Sequence, residues 1–154
     1  MALDKPPHFR IDVMTYPIRK LMLIYPPVTY SVQSPKQSCP PLGVAYLAAA
    51  VRERCDVKIL DAAVEGYYNE TELTPQLVRF GLPYEEIADR IAQYKPDVLG
   101  VSCIFSSQMP GVRRITGDAK EILGDVITVT GGAHPSFMAK DVLRHEPLDF
   151  VVRG

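Results

Sequence analysis

Short apolar runs alternate along the chain with segments whose apolar residues recur every three to four positions, and this predicts strands followed by helices. Residues 20–25 (KLMLIY) form an apolar run stopped by Pro26 and Pro27, the pattern of a buried strand. Residues 41–54 (PLGVAYLAAAVRER) open with proline at a first helical position and continue in alanine and leucine, which predicts a helix. A second strand is expected over 56–60 (DVKIL). In 84–94 (YEEIADRIAQY), Ile87, Ile91 and Tyr94 share one stripe and acids occupy the first turn, the mark of a helix. A third strand follows at 97–104 (DVLGVSCI), then a helix over 111–123 with Val112, Ile115, Ala119 and Ile122 facing inward. A fourth strand at 126–130 (VITVT), a helix over 136–145 and a fifth strand at 149–153 (DFVVR) complete the series.

Apolar strands joined by helices predict an α/β fold, a five-stranded parallel sheet with helices on both faces. Five repeats of this kind suggest a flavodoxin-like, Rossmann-like strand order, 2-1-3-4-5. Two segments stand outside the pattern. Residues 1–19 are expected to be an N-terminal extension, leaving 20–154 as the domain. Residues 63–83 read as a long loop inserted between the second strand and its helix, functional or partner-facing on the one hand, a plain surface excursion on the other.

Composition narrows the function classes. With 17 basic and 18 acidic residues the formal charge is −1, which offers no electrostatic footprint for nucleic acid or an anionic membrane. No apolar run approaches the ~20 residues of a membrane span. The fourteen prolines punctuate element ends rather than forming a low-complexity tract. Cys39, Cys55 and Cys103 are too dispersed for a metal knuckle and odd in number, which favours a reduced, cytoplasmic setting.

In a sheet of this order, ligands bind beyond the carboxyl ends of the strands, where the winding reverses. The loops that matter are 26–42, 105–110 and 131–135. The clustered carboxylates of a phosphorylated receiver are missing there: strand 1 ends in Tyr25-Pro26-Pro27 and strand 3 in Ile104-Phe105-Ser106. A flavin phosphate loop would be short and free of the prolines that the first loop carries. Neither a GxGxxG nor a Walker pattern occurs. What remains is a slot lined by small and hydroxylated residues. Ser102, Ser106 and Ser107 lie on one side, Gly131, Gly132 and Ala133 on another, and Gly43 at the start of the first helix.

These residues resemble a known family. The stretch Pro40-Pro41-Leu42-Gly43-Val44-Ala45-Tyr46-Leu47-Ala48-Ala49 is similar to the opening of the N-terminal cobalamin-binding domain of cobalamin-dependent radical S-adenosylmethionine enzymes. So are Pro26-Pro27, Gly100-Val101-Ser102, Gly131-Gly132-Ala133-His134-Pro135 and Val151-Val152-Arg153-Gly154, in order over residues 20–154. The resemblance implies a Rossmann-like module that binds cobalamin, working with a radical S-adenosylmethionine domain of the same parent chain. The CxxxCxxC motif that holds the iron–sulfur cluster in such a domain is not in these residues. The cluster and S-adenosylmethionine would therefore belong to the parent, a methyltransferase or cyclase, and the chain alone would generate no radical.

Other cobalamin modules carry DxHxxG at the entry to the first helix, with the histidine as lower ligand to cobalt. Alignment on Gly43 puts Ser38 at the aspartate and Pro40 at the histidine. The resemblance thus implies a base-off cofactor without a histidine ligand, its tail buried in the slot. Pro40, Pro41, Leu42 and Gly43 would face the corrin, and Tyr46 would pack on the corrin or in the core. Ser102 would hydrogen-bond the buried base, Ser106 and Ser107 the tail phosphate or ribose. Gly131, Gly132 and Ala133 would allow close backbone approach, with His134 shaping the loop or bonding the cofactor. Asp61 reads as a cap, Cys103 as a small buried residue, and His8 and His145 as solvated. The competing expectation is a degenerate interaction or substrate-docking module that binds no cobalamin. A fifth strand without a following helix should leave an apolar strip exposed beside Phe150 and Val152.

Overall fold

The computed structural model describes residues 17–154. The predicted extension falls mostly outside these residues, as do the readings of His8 and of the His145 side chain. Five strands, β1 (Lys20–Tyr25), β3 (Asp56–Asp61), β6 (Val98–Ser102), β7 (Ile127–Gly131) and β8 (Phe150–Val152), pair in parallel in the order β3-β1-β6-β7-β8. Counted along the chain, this is the expected 2-1-3-4-5. The helices α1 (Leu42–Val51), α3 (Tyr84–Tyr94), α4 (Met109–Leu123) and α5 (Ala133–His145) connect them.

Alternation along the strands divides the sheet into two faces. Met22 and Ile24 of β1, Leu99 and Val101 of β6, and Leu60 of β3 point to one side. There they form a single buried cluster with Ile87 and Ile91 of α3, with Met109, Val112, Ile115 and Ala119 of α4, and with Val142 of α5. The opposite side carries the row Ile59, Leu23, Gly100, Val129 and Phe150, residues that are successive register partners across the sheet. Helix α1 packs on β1 and β3 and buries only Val44, outside the main cluster.

Several boundaries differ from those expected. Helix α4 begins at Met109, because the Gln108 side chain accepts from the backbone of Ile104 (2.7 Å) and Phe105 (3.1 Å) and so organises the turn Ser106–Gln108 that leads into it. Pro110 sits in the first turn of α4, where a missing N–H costs nothing. Ile122 is 43% exposed and Leu123 packs on the core instead, since the 3.6-residue period from Val112 and Ala119 lands on 123. Helix α5 starts at Ala133, three residues early. Pro135 is tolerated there because the first N–H groups of a helix have no intrahelical partner.

The largest correction concerns residues 63–83. Asp61 caps a short helix, α2 (Ala62–Glu65), by accepting from Val64 N at 3.1 Å. An antiparallel hairpin follows, β4 (Glu70–Thr74) and β5 (Leu77–Phe80), and β2 (Val28–Ser31) from the loop after β1 pairs with β5. The insert is thus part of a second, three-stranded sheet. Pattern reading missed it because β4 is exposed at every position, leaving no apolar alternation to detect.

Lys36 joins this small sheet to the loop that leads into α1. Its ammonium lies 2.7 Å from Glu70 Oε1, donates to the Tyr67 carbonyl, and sits 4.1 Å and 4.9 Å from the ring centroids of Tyr67 and Phe80. The loop bearing Ser38 to Gly43 is therefore held at one end by a partly desolvated cation in an aromatic setting.

Candidate functional site

The carboxyl ends of β1, β6 and β7 bring together most of the residues expected to form the slot. Ser102 ends β6 and is the register partner of Gly131, which ends β7 and in turn faces Val152. Cys103 N donates to the Gly131 carbonyl at 2.8 Å, extending the ladder one residue beyond the strand. The Cys103 side chain is buried, as its sequence context suggested, and burial pushes its thiol up to about 11. A neutral thiol of that kind is inert at physiological pH.

Gly132 has φ +122°, a conformation open to glycine, and a Cβ there would overlap the Cys103 carbonyl. The close approach of the β7–α5 turn to the end of β6 thus depends on that residue. Gly131 is different: a Cβ would meet Val152 at 3.5 Å, ordinary contact. Ala133 is exposed at the start of α5, and His134 is half-buried, its Nδ1 2.9 Å from Ser106 Oγ. This pair ties the loop after β6 to the start of α5. Ser106 is exposed, as is Ser107 beside it.

The remaining residues expected at the slot lie at the entry to α1. Pro41 precedes the helix and is half-buried, while Pro40 is exposed. A Cβ on Gly43 would meet nothing within 4 Å, so the residue faces open space. Leu42 is 64% exposed and Tyr46 76% exposed, which removes core packing as the reading of Tyr46. Phe105 and Phe137 are also exposed, at 62% and 88%, so apolar side chains stand free on loops and helix starts around the slot.

Three further residues were not legible as site residues. Tyr25 ends β1, the strand at the winding reversal, and is half-buried beside the Gln108 amide, with Asp61 as its register partner on β3. Burial raises its pKa above 10.0, partly offset by the Gln108 amide. Ser38 Oγ and Gln108 Nε2 are buried with no hydrogen-bond partner among the described residues. Orphaned polar atoms in the two loops that flank the winding reversal are what a polar ligand would satisfy. Gln108 did have a sequence signal: it lies three residues after Phe105, the position from which a glutamine reaches back to a helix start.

A sheet of this order, with glycine-bearing turns at its carboxyl edge and exposed apolar residues on the adjoining loops and helix starts, has the arrangement in which α/β sheets take a ligand. Residues 29–154 match the family described as the B12 binding domain. The chain belongs to that family. It is 34% identical over 139 residues to cytidylyl-2-hydroxyethylphosphonate methyltransferase of Streptomyces wedmorensis, a match that covers 88% of this chain and 26% of that protein. It is 31% identical over 118 residues to anaerobic magnesium-protoporphyrin IX monomethyl ester cyclase of Rubrivivax gelatinosus, covering 75% of this chain and 18% of that one. The chain thus spans about a quarter or less of the length of these relatives. Its fold is similar to that of a cobalamin-binding protein from Desulfitobacterium hafniense DCB-2, with TM-score 0.56 and 13% identity over 87% of this chain and 52% of that structure. No helix among the described residues is long and apolar enough to cross a membrane.

Proposed function

We propose that the chain holds cobalamin for a longer enzyme that carries out methyl transfer or a related radical transformation, with the radical S-adenosylmethionine domain and its iron–sulfur cluster elsewhere in the parent chain. The cytoplasm is its proposed setting. The observation that carries this reading is the carboxyl edge of the sheet, where Ser102 and Gly131 end neighbouring strands, Gly132 lets the next turn lie against the Cys103 carbonyl, and Gly43 at the entry to α1 faces open space. The orphaned Ser38 and Gln108 atoms suit a ligand that combines a flat ring with many amides. In this reading Ser102 meets the nucleotide base, and Ser106 with Ser107 meets the tail phosphate or ribose. The residues Pro40 to Gly43 and Tyr46 cover the corrin. Cobalamin, when bound, supplies a cobalt centre that can carry a methyl group. A degenerate docking module has no use for an open glycine slot, and no observation favours it.

The cofactor is proposed to be held base-off and without a histidine ligand. Pro40 occupies the position of the usual ligand and offers no lone pair. His134 is engaged through Nδ1 with Ser106, which supports its role in shaping the loop. Electron paramagnetic resonance of the cob(II)alamin complex tests this directly, and no axial nitrogen splitting is expected. A nitrogen triplet lost in His134→Ala would make His134 the ligand. A triplet surviving in that variant would leave the nucleotide base on cobalt and overturn insertion of the tail into the slot.

A further inference from the structure

We propose that Tyr25 contacts the bound corrinoid, its hydroxyl donating a hydrogen bond to an oxygen acceptor of that ligand, and that Gln108 is the positioning residue that holds the hydroxyl in this role. The inference rests on the cobalamin reading above and extends it to residues which that reading does not use.

Gln108 is 4% exposed, and its Oε1 accepts from two backbone groups, Ile104 N at 2.7 Å and Phe105 N at 3.1 Å. Both partners are obligate donors, so the amide oxygen must face them and the orientation of the side chain is fixed. Its Nε2 is then the end that adjoins the Tyr25 phenol, and Nε2 can only donate. The two groups stand side by side without a well-formed hydrogen bond, and Nε2 has no partner.

When Nε2 donates to the phenol oxygen, the phenol proton must be given elsewhere. Among the described residues no protein acceptor hydrogen-bonds that hydroxyl. Asp61 is the register partner of Tyr25, but its Oδ1 accepts from Val64 N at the start of α2 and neither of its oxygens accepts from the phenol. The loop after β1 also carries the orphaned Ser38 Oγ. The free proton therefore sits at the end of the central strand, in the crevice where a ligand lies in sheets of this order. A ligand oxygen that takes the proton strengthens the phenol as acceptor for Nε2, so the contact and the relay reinforce each other. The corrin amide side chains and the phosphate of the nucleotide tail both offer such an oxygen.

Dissociation constants for hydroxocobalamin and for diaquacobinamide, which lacks the nucleotide tail, test the assignment. Tyr25→Phe should weaken binding about five- to tenfold, the size of one lost hydrogen bond, with the melting temperature of the ligand-free protein unchanged. A loss with both corrinoids places the acceptor on the corrin amides, and a loss with hydroxocobalamin alone places it on the tail. Equal affinity of Tyr25→Phe and wild type for both overturns the proposal. Gln108→Glu keeps an acceptor for Ile104 and Phe105 but replaces Nε2 by an oxygen that captures the Tyr25 proton. It should weaken binding in the wild-type background and change little when added to Tyr25→Phe. Additive effects would make Gln108 merely structural. If wild type retains neither corrinoid, the cobalamin reading itself fails and this inference falls with it.

Discussion

The two faces of the central sheet are built from the same strands, yet they end in opposite states. On one side α3, α4 and α5 seal Met22, Ile24, Leu99 and Val101 into a cluster with almost no exposure. On the other, α1 covers β1 and β3, while Phe150 and Val152 of β8 remain 59% and 55% exposed. Even the covering helix differs: α1 is apolar nearly all round but buries only Val44, with Leu42, Tyr46 and Leu47 exposed. A helix that only packed on a sheet would show a polar outer stripe, as α3 and α4 do. The closed face therefore accounts for stability, and the open face, whose last row includes Ser102, Gly131 and Val152, is where the proposed ligand would find room.

Substitutions on the two faces should separate these roles. Leu99→Ala, on the closed face, is expected to cost about 2–5 kcal/mol in denaturant unfolding through loss of contacts and a cavity. Phe150→Ser, on the open face, should stay within about 0.5 kcal/mol of wild type, as surface changes do. It should also lower the binding of a hydrophobic dye, and a loss of stability comparable to that of Leu99→Ala would erase the distinction.

The two glycines of the slot sharpen the comparison. Gly132→Ala is expected to destabilise by more than about 1 kcal/mol, because the positive φ and the overlap with the Cys103 carbonyl act together. Gly131→Ala should be nearly neutral in thermal unfolding, since its Cβ meets only Val152 at ordinary distance. Gly131→Phe should abolish corrinoid retention by filling the slot. Retention by that variant would place the ligand elsewhere.

Smaller effects are expected at the anchors. Lys36→Met keeps an apolar stem against Tyr67 and Phe80 but loses the charge that meets Glu70. Limited proteolysis should then cut the 32–41 loop sooner, while the main melting transition moves little. Asp149 offers a pH test. Burial raises its pKa, but the Lys120 ammonium and the Thr128 N–H and hydroxyl outweigh it, leaving the carboxyl below its ordinary 3.8. A folded pKa below the unfolded one gives stability that is present above pH 3.8 and is lost as pH falls through the lower, folded value. Asp149→Asn should therefore be slightly less stable at neutral pH, with a shallower loss below pH 4 measured by thermal unfolding.

The parallel sheet and its strand order were legible because each strand is a short, largely apolar run, with proline closing β1 and glycine closing β7. The small sheet was not, since β4 is wholly exposed and β2 is four residues long in a segment bounded by Pro26–Pro27 and Pro35. The glycines and serines at the ends of β6 and β7 could be named in advance, because position after a strand implies position at the sheet edge. Tyr25 and Gln108 could not. Their significance lies in which amide atom is satisfied and which is not, and that depends on how the turn at Ser106–Gln108 folds back onto Ile104 and Phe105.

The central claim is that the open edge of the sheet is a corrinoid site. Gel filtration of the purified chain after mixing with hydroxocobalamin, read by absorbance of the pigment against protein, measures this directly. The account predicts co-elution at close to one equivalent in wild type and none in Gly131→Phe. Colourless wild-type protein would contradict it and leave the module as a docking surface.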